Sequence, residues 1–406
     1  MRTPEEAIRE IVDEAPPLGE CESVPLFEAL GRVLAQDVHS DVDIPPFQKS
    51  AMDGYALRSA EIDGHTKAPG QAFEIVGESR AGGPFGGSVP PGACISIYTG
   101  AQVPPDCDAV VMIEKTSREG DSVHIDDHPG EGQNICNRGA DLRSGDLVLR
   151  QGRRLSATDL SVLAAVGCDP TPVFRRPRVA ILTTGDELVP PSEQPGVGQI
   201  REGNTLHLAA LAQRAGADVL LLGLVRDDKG LLEERFRDAL ERSDVVVTTG
   251  GVSMGKYDHV AEVFQRCGVE EIFHKVAIKP GKPMWFGKLG KTLVFGLPGN
   301  PVSCLLDHEV FVRPALARLE GAQPEEWAEE RRRIGRWAGA ETRSNPRQQN
   351  LPIRVRQGAD GVDELLRLDW SSSADIVGLA EADGMAIVAA GETIAQGDLV
   401  PYRPLR

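Results

Sequence analysis

The chain has 406 residues, 41% hydrophobic and 26% charged, a balance expected of roughly two to four folded domains. Its net charge of −17 and its 5% of aromatic residues argue against a nucleic-acid or acidic-membrane binder. A negative field repels polyanions, and few rings are present to stack bases. Any anionic ligand must therefore be held by local lysines and backbone N–H groups.

No apolar run reaches membrane-spanning length, and the first residues, MRTPEEAIREIVDEAPP, carry no apolar signal core. The cytoplasm is the expected location. Seven cysteines, at 21, 94, 107, 136, 168, 267 and 304, form no CxxC pair and no zinc spacing, and read as reduced thiols.

Residues 3–14 predict a helix, with Thr3 as cap, Pro4 in the first turn and an apolar stripe at Ile8, Ile11 and Val12. Leu26 to Leu34 suggests a second short helix. Pro45-Pro46 then stops regular structure, and Asp53-Gly54 forms a tight turn ahead of a strand at Tyr55-Ala56-Leu57. From about 70 to 150 the texture is all β: FEIVGES, CISIYTG, AVVMIEK, SVHID and DLVL are separated by Gly/Pro turns. A polar loop at 134–146 carries Arg138, Asp141 and Arg143. Residues 156–167 predict another helix, ended by Gly167. The β block thus lies between two helical stretches, as an insertion would.

From 177 strands and helices alternate. RVAILTTG, ADVLLLGLV, DVVVTTGG, KVAI and TLVFG read as strands; 204–216, 229–243, 258–267 and 301–319 read as helices. This predicts a parallel, doubly wound α/β domain, whose ligands bind at the carboxyl ends of the strands. Asp186 and Glu187, Asp227 and Asp228, and Asp258 fall at those ends. Such carboxylates suit Mg²⁺ bridging phosphates, and they equally suit plain helix first turns. Residues 320–335 read as a charged linker, part helical, and 336–406 returns to β texture, as a small barrel or sandwich.

The densest chemistry lies between Asp244 and Pro301. A β-branched run ends at Gly250-Gly251, followed by Ser253, and a second turn runs Gly296-Leu297-Pro298-Gly299-Asn300-Pro301. Free N–H groups in such turns favour an oxyanion. Between them stand Lys275, Lys279 and Lys282. If 275–279 is extended, Lys275, Ala277 and Lys279 share one face. The pattern suggests a site for a phosphorylated or oxyanionic small molecule, against a plainer reading of ordinary turns with solvated lysines.

Taken together, the strings PPFQKSAMDGYA, YTGAQVPPDCDAVVMIE, NICNRGAD, LTTGDELV, RDD, TTGGVSMGKYD, KVAIKPGKP and GLPGNPVS resemble the molybdopterin molybdenumtransferase (MoeA) family, whose fold also forms the C-terminal part of gephyrin. The resemblance implies four domains: a discontinuous helical one at 1–45 and 146–174, an inserted β-rich one at 46–145, an α/β molybdopterin-binding one at 175–325, and a C-terminal β one at 330–406. It implies insertion of molybdenum from molybdate into adenylylated molybdopterin, with loss of AMP and use of Mg²⁺. It also implies a homodimer, with the molybdopterin adenylyltransferase as a candidate partner and with no nucleic acid or membrane.

Position by position, Asp53, Thr99 and Asp141 match the inserted domain's substrate residues. Glu187, Asp227 and Asp258 match an acidic, metal-holding cleft, and Lys275 and Lys279 its basic pair. Asp258, Glu187, Lys275 and Lys279 are the catalytic candidates. Gly250, Gly251, Ser253 and Asn300 belong to the two turns. Lys279, Lys282 and Ser303 resemble a molybdate pocket, completed by Arg347 and Ser373 through a looser match, since NPRQQNLPIRV and SSSAD depart from the family's usual strings. Two other readings remain: an adenylyltransferase, which would resemble only the central domain, and a gephyrin-like scaffold.

Overall fold

Thr3 opens the first helix, Pro4–Asp13, through a reciprocal cap: the Glu6 N–H donates to the Thr3 hydroxyl at 3.2 Å, and the Thr3 N–H donates to the Glu6 carboxylate at 2.8 Å. A computed structural model describes residues 1–62, 71–251, 259–324 and 332–405. The chain divides into two compact units, Asp37–Arg150 with Thr158–Asp169, and the remainder.

In the larger unit the expected second helix is only a single turn, Leu26–Ala29. Gly31, at φ +73°, breaks it, and the following Leu34 bridges Val173 instead of continuing a helix. Cys21–Val24 pairs antiparallel with Thr171–Phe174 nearby.

A six-stranded sheet follows, in the order Asp218–Val225, Arg178–Thr184, Val245–Thr249, Thr292–Leu297, Trp285–Leu289 and Glu270–His274. The first four are parallel, and Trp285–Leu289 runs against them, pairing antiparallel with both Thr292–Leu297 and Glu270–His274, so the sheet is mixed rather than wholly parallel. Alternate residues of the central strands face opposite ways and both faces are buried, which is why VVVTT and RVAILTT read as continuous apolar runs. Val179, Ile181, Val245, Val247 and Phe295 pack with Ile11, Leu208, Phe311 and Leu316 on one face. Ala180, Leu182, Val246 and Val294 pack with Leu232, Phe236, Val263 and Phe264 on the other. Helices therefore cover both sides, as a doubly wound fold requires.

The helix expected at 301–319 is Pro301–Asp307 and Arg313–Leu319, joined by a π-helical turn at His308–Val312. Pro314 has no N–H to give the carbonyl one turn back, and the widened turn accommodates it.

The lysine face expected on an extended 275–279 does not form. Lys275 takes φ +76° and ends the strand Glu270–His274. The chain then turns away, and Ile278–Lys279 pairs parallel with Gln348 and Gln349 of the C-terminal sheet. That sheet is a closed five-strand barrel: Gln348–Gln357, Asp363–Arg367, Arg333–Trp337, Leu399–Pro404 and Gly384–Val388, which returns to Gln348–Gln357. Trp337, Ile353, Leu365, Val388 and Tyr402 fill it. Arg333–Trp337 overruns the charged linker expected to 335, because Gly335 and Trp337 meet the Leu365 strand.

The smaller unit holds a second six-stranded sheet, ordered Ala109–Met112, Gly54–Leu57, Ala93–Ile97, Gln71–Ser79, Ser122–Ile125 and Thr116–Glu119. Gly54 permits a close approach, since a Cβ there would lie 1.8 Å from the Val111 carbonyl oxygen. No helix of the described residues is long and apolar enough to cross a membrane.

Candidate functional site

The carboxyl ends of the parallel strands meet at a cavity of about 370 Å³, a volume suited to a small molecule. Thr183 and Thr184, Thr249 and Gly250, and Gly299 and Asn300 line it, each at or just after the end of a strand. Gly250 and Gly251 take φ +90° and +63°. A Cβ on Gly250 would lie 2.3 Å from the Thr184 carbonyl oxygen, and one on Gly251 2.5 Å from Val260 Cγ2. The turn therefore requires glycine twice, for backbone conformation and for space. Ser253 and Asp258 lie outside the described residues.

A polar layer supports the cavity floor. The Asn204 amide donates to the Gly299 carbonyl at 2.7 Å and to the Thr249 hydroxyl at 3.2 Å. The Thr249 hydroxyl in turn donates to the Pro298 carbonyl at 2.9 Å, so the two glycine turns are fastened together. The Asn300 amide donates to the Ser373 hydroxyl at 2.9 Å, and Ala374 and Ile376 join the cavity wall.

Glu187 lines the cavity, its carboxylate folded over Gly185, where a Cβ would meet it at 2.8 Å. Asp227 accepts a hydrogen bond from the Thr184 hydroxyl, while its own N–H donates to Asp186 at 3.3 Å. Among the described residues no three His, Cys, Asp or Glu side chains gather as a metal-binding group. Glu187 and Asp227 are nonetheless the hard oxygen donors that Mg²⁺ takes, on neighbouring strand ends.

The cationic residues form a separate group. Lys279 and Lys282 are exposed on the turn that leaves the α/β sheet, and the Gly281 backbone between them is buried. Barrel pairing sets Lys279 beside Gln349, and the Arg347 guanidinium donates to the Ile278 carbonyl at 3.1 Å. Arg347 therefore reaches the residue next to Lys279. Lys275 sits at the other end of the same segment, its N–H bonded to the Met284 carbonyl at 2.8 Å. Ser303 is buried in the first turn of the Pro301–Asp307 helix.

In the smaller unit, the Thr99 N–H and hydroxyl donate to one Asp53 carboxylate oxygen at 2.7 and 2.8 Å. The N–H bond first, and the hydroxyl second, hold the Asp53 carboxyl below the usual carboxylate range. Asp141 has an exposed side chain, and its N–H donates to the Ile44 carbonyl at 2.9 Å.

Sequence reasoning passed over Thr184, Asn204 and Thr249. Their signal was present: threonines closing the strands at TTGD and TTGG, and an asparagine opening the helix Asn204–Arg214.

Fold and site together define a multidomain protein with a small-molecule-sized cavity between two glycine turns at the strand ends of a doubly wound α/β domain. Residues 2–167 match the model of the MoeA N-terminal region (domain I and II), and residues 180–318 that of a probable molybdopterin binding domain. A molybdopterin molybdenumtransferase of Haemophilus influenzae is 37% identical over 322 residues, covering 79% of this chain and 78% of its own. One of a Nostoc species is 34% identical over 376 residues, covering 92% and 86%. The crystal structure of a molybdopterin biosynthesis MoeA protein from Pyrococcus horikoshii OT3 superposes with a TM-score of 0.83 at 29% identity, over 99% of both chains. The chain belongs to the molybdopterin molybdenumtransferase family.

Proposed function

We propose that this protein transfers molybdenum from molybdate onto adenylylated molybdopterin, releasing AMP, in molybdenum cofactor biosynthesis. Family membership supports the transfer of molybdenum. The adenylylated form of the pterin rests on the cavity itself, where two glycine turns meet at the carboxyl ends of the strands, the setting that favours a phosphate-bearing ligand in such folds. That pairing of turns around one cavity is the observation that carries the reading.

In this proposal Gly250, Gly251, Ser253 and Asn300 hold the phosphates, and Lys275 with Lys279 is the basic pair of the catalytic set. Lys279, Lys282, Ser303, Arg347 and Ser373 take molybdate, a small dianion that needs cationic and hydroxyl donors. Mg²⁺, held by Glu187, Asp227 and Asp258, would supply charge neutralisation as AMP leaves. Asp258 or Glu187 orients the attacking oxygen of water or molybdate. Asp53, Thr99 and Asp141 complete substrate binding, Asp53 as an ionised acceptor. The working form is a homodimer that receives its substrate from the adenylyltransferase.

The test is product analysis. Adenylylated molybdopterin with molybdate should yield AMP and active cofactor without ATP, and Lys279→Ala should abolish the yield while leaving the fold intact. A requirement for ATP would assign the chain to the preceding adenylylation. A fully active Lys279→Ala would remove the molybdate assignment.

A further inference from the structure

Asp307 ends the Pro301–Asp307 helix and is 0% exposed, with no hydrogen-bond partner for either carboxyl oxygen among the described residues. Its neighbour is the backbone of Gly281. A Cβ there would lie 2.1 Å from Asp307 Oδ1 and 3.1 Å from Oδ2. Gly281, at φ +107°, stands between Pro280 and Lys282, so the carboxyl group is wedged against the turn that carries the two exposed lysines.

One turn back on the same helix, the Cys304 thiol donates to the Pro298 carbonyl at 2.6 Å. Residues three apart on a helix share a face. One helix face therefore touches both turns: Cys304 holds the glycine turn at 296–301, and Asp307 meets the lysine turn at 279–282. Ser303 lies on the same short helix.

An ionised carboxylate sealed in this way, with nothing to bond it, is far costlier than the neutral acid, so the group holds its proton. Burial raises its proton affinity well above that of an ordinary aspartate. As the neutral acid it acts through its bulk and position, not its charge.

We propose that Asp307 is a positioning residue for oxyanion binding: wedged against Gly281, it sets the Lys279–Lys282 turn relative to Ser303 so that these donors converge on one dianion. This rests on the molybdate reading above. The carboxyl group touches no substrate and works through the turn. Loss of that support displaces two ammonium groups together, and displacements of about 1 Å can cost up to roughly 100-fold in a positioned site.

The experiment measures equilibrium binding of molybdate alone to the full chain by titration calorimetry, and the KM for molybdate and kcat of molybdenum transfer. The variants are Lys279→Ala, Asp307→Asn, Asp307→Ala, Asp307→Ser and Gly281→Ala. Lys279→Ala controls for the reading itself: unchanged molybdate affinity in that variant overturns the molybdate assignment, whatever Asp307 does. With that control lost as expected, Asp307→Asn should stay within about twofold of wild type, because it keeps size and neutrality. Asp307→Ala should weaken molybdate binding and raise KM by about tenfold, with kcat at saturating molybdate changed much less. Gly281→Ala should do the same from the other side of the contact. If Asp307→Ala fails to fold, Asp307→Ser carries the same expectation. A folded Asp307→Ala or Asp307→Ser with a lowered melting temperature and wild-type affinity and KM shows a merely structural role and overturns the proposal. Loss of binding in Asp307→Asn equal to that in Asp307→Ala overturns it as well, since charge or proton donation would then be what matters.

Discussion

The Asn300 side-chain amide donates to the Ser373 hydroxyl at 2.9 Å, and the Val302 N–H donates to the Ser373 carbonyl at 3.1 Å. The second glycine turn is thereby fastened to a loop 73 residues further along the chain. Ser373→Ala removes the first bond and keeps the second. A neutral hydrogen bond contributes about 1 kcal/mol, or roughly a fivefold change in an equilibrium constant. The expected result is a KM raised about fivefold for molybdate, which Ser373 is proposed to bind, and for the pterin substrate held by the Asn300 turn, with kcat little altered. Steady-state kinetics check it, and an unchanged KM would place Ser373 outside the working site.

The acidic side is open to a gentler probe than deletion of a carboxylate. The Thr184 hydroxyl donates to Asp227, orienting it as partners behind a metal ligand do. Thr184→Val keeps the shape and removes the donor. The magnesium concentration for half-maximal transfer should rise by about tenfold, while activity at saturating magnesium recovers most of its value. A titration whose midpoint does not move would argue that Asp227 holds no metal.

How far the sequence showed this site depends on the kind of signal. Glycine pairs, strand-end threonines and carboxylates are local, and Gly250, Glu187 and Asn300 line one cavity. The alternating texture likewise gave the layers of the α/β domain, because VVVTT and RVAILTT are apolar on both faces. The lysines were misjudged because a positive φ at Lys275 is invisible in KVAIKPGKP, whose Val and Ile favour extension. Trp285–Leu289 was missed because its inner Gly287 breaks the pattern; the glycine is there because a Cβ would lie 2.4 Å from the Glu270 carbonyl oxygen. The closeness of Arg347 to Lys279 depends on a parallel pairing between residues some 70 apart, which no local pattern encodes. Asp307 had a faint mark, one of two acids, with Glu309, set between apolar residues in CLLDHEVFV.

That acid also gives the fold a pH dependence. The folded chain keeps a proton on Asp307 that the unfolded chain releases above its ordinary value of 3.8. Where the folded state binds more protons, stability falls as pH rises. The contribution is full below 3.8 and is lost as pH rises through the elevated folded value. Asp307→Asn removes this term. Its melting temperature should exceed that of wild type at pH 8 and approach it at pH 5, with scanning calorimetry as the check. A gap that is constant with pH would mean that Asp307 is ionised in the folded protein.

The sharpest local test is Gly250→Ala. The residue sits at φ +90°, where a side chain is strained by about 1 kcal/mol or more, and its methyl group would meet the Thr184 carbonyl oxygen at 2.3 Å. That oxygen belongs to the central strand and cannot swing aside as a flexible side chain would. The turn itself must move, which separates it from Thr249 and from the facing turn at Gly299. Since the sheet beneath is buried on both faces, the strands should survive, with stability reduced by about 1–3 kcal/mol. Binding should suffer more than folding: affinity for AMP, the smallest ligand fragment carrying the phosphate, is expected to fall at least about tenfold. Circular dichroism and calorimetry on the same sample separate the two effects. A folded Gly250→Ala that binds AMP as wild type does would show that the phosphate is held elsewhere.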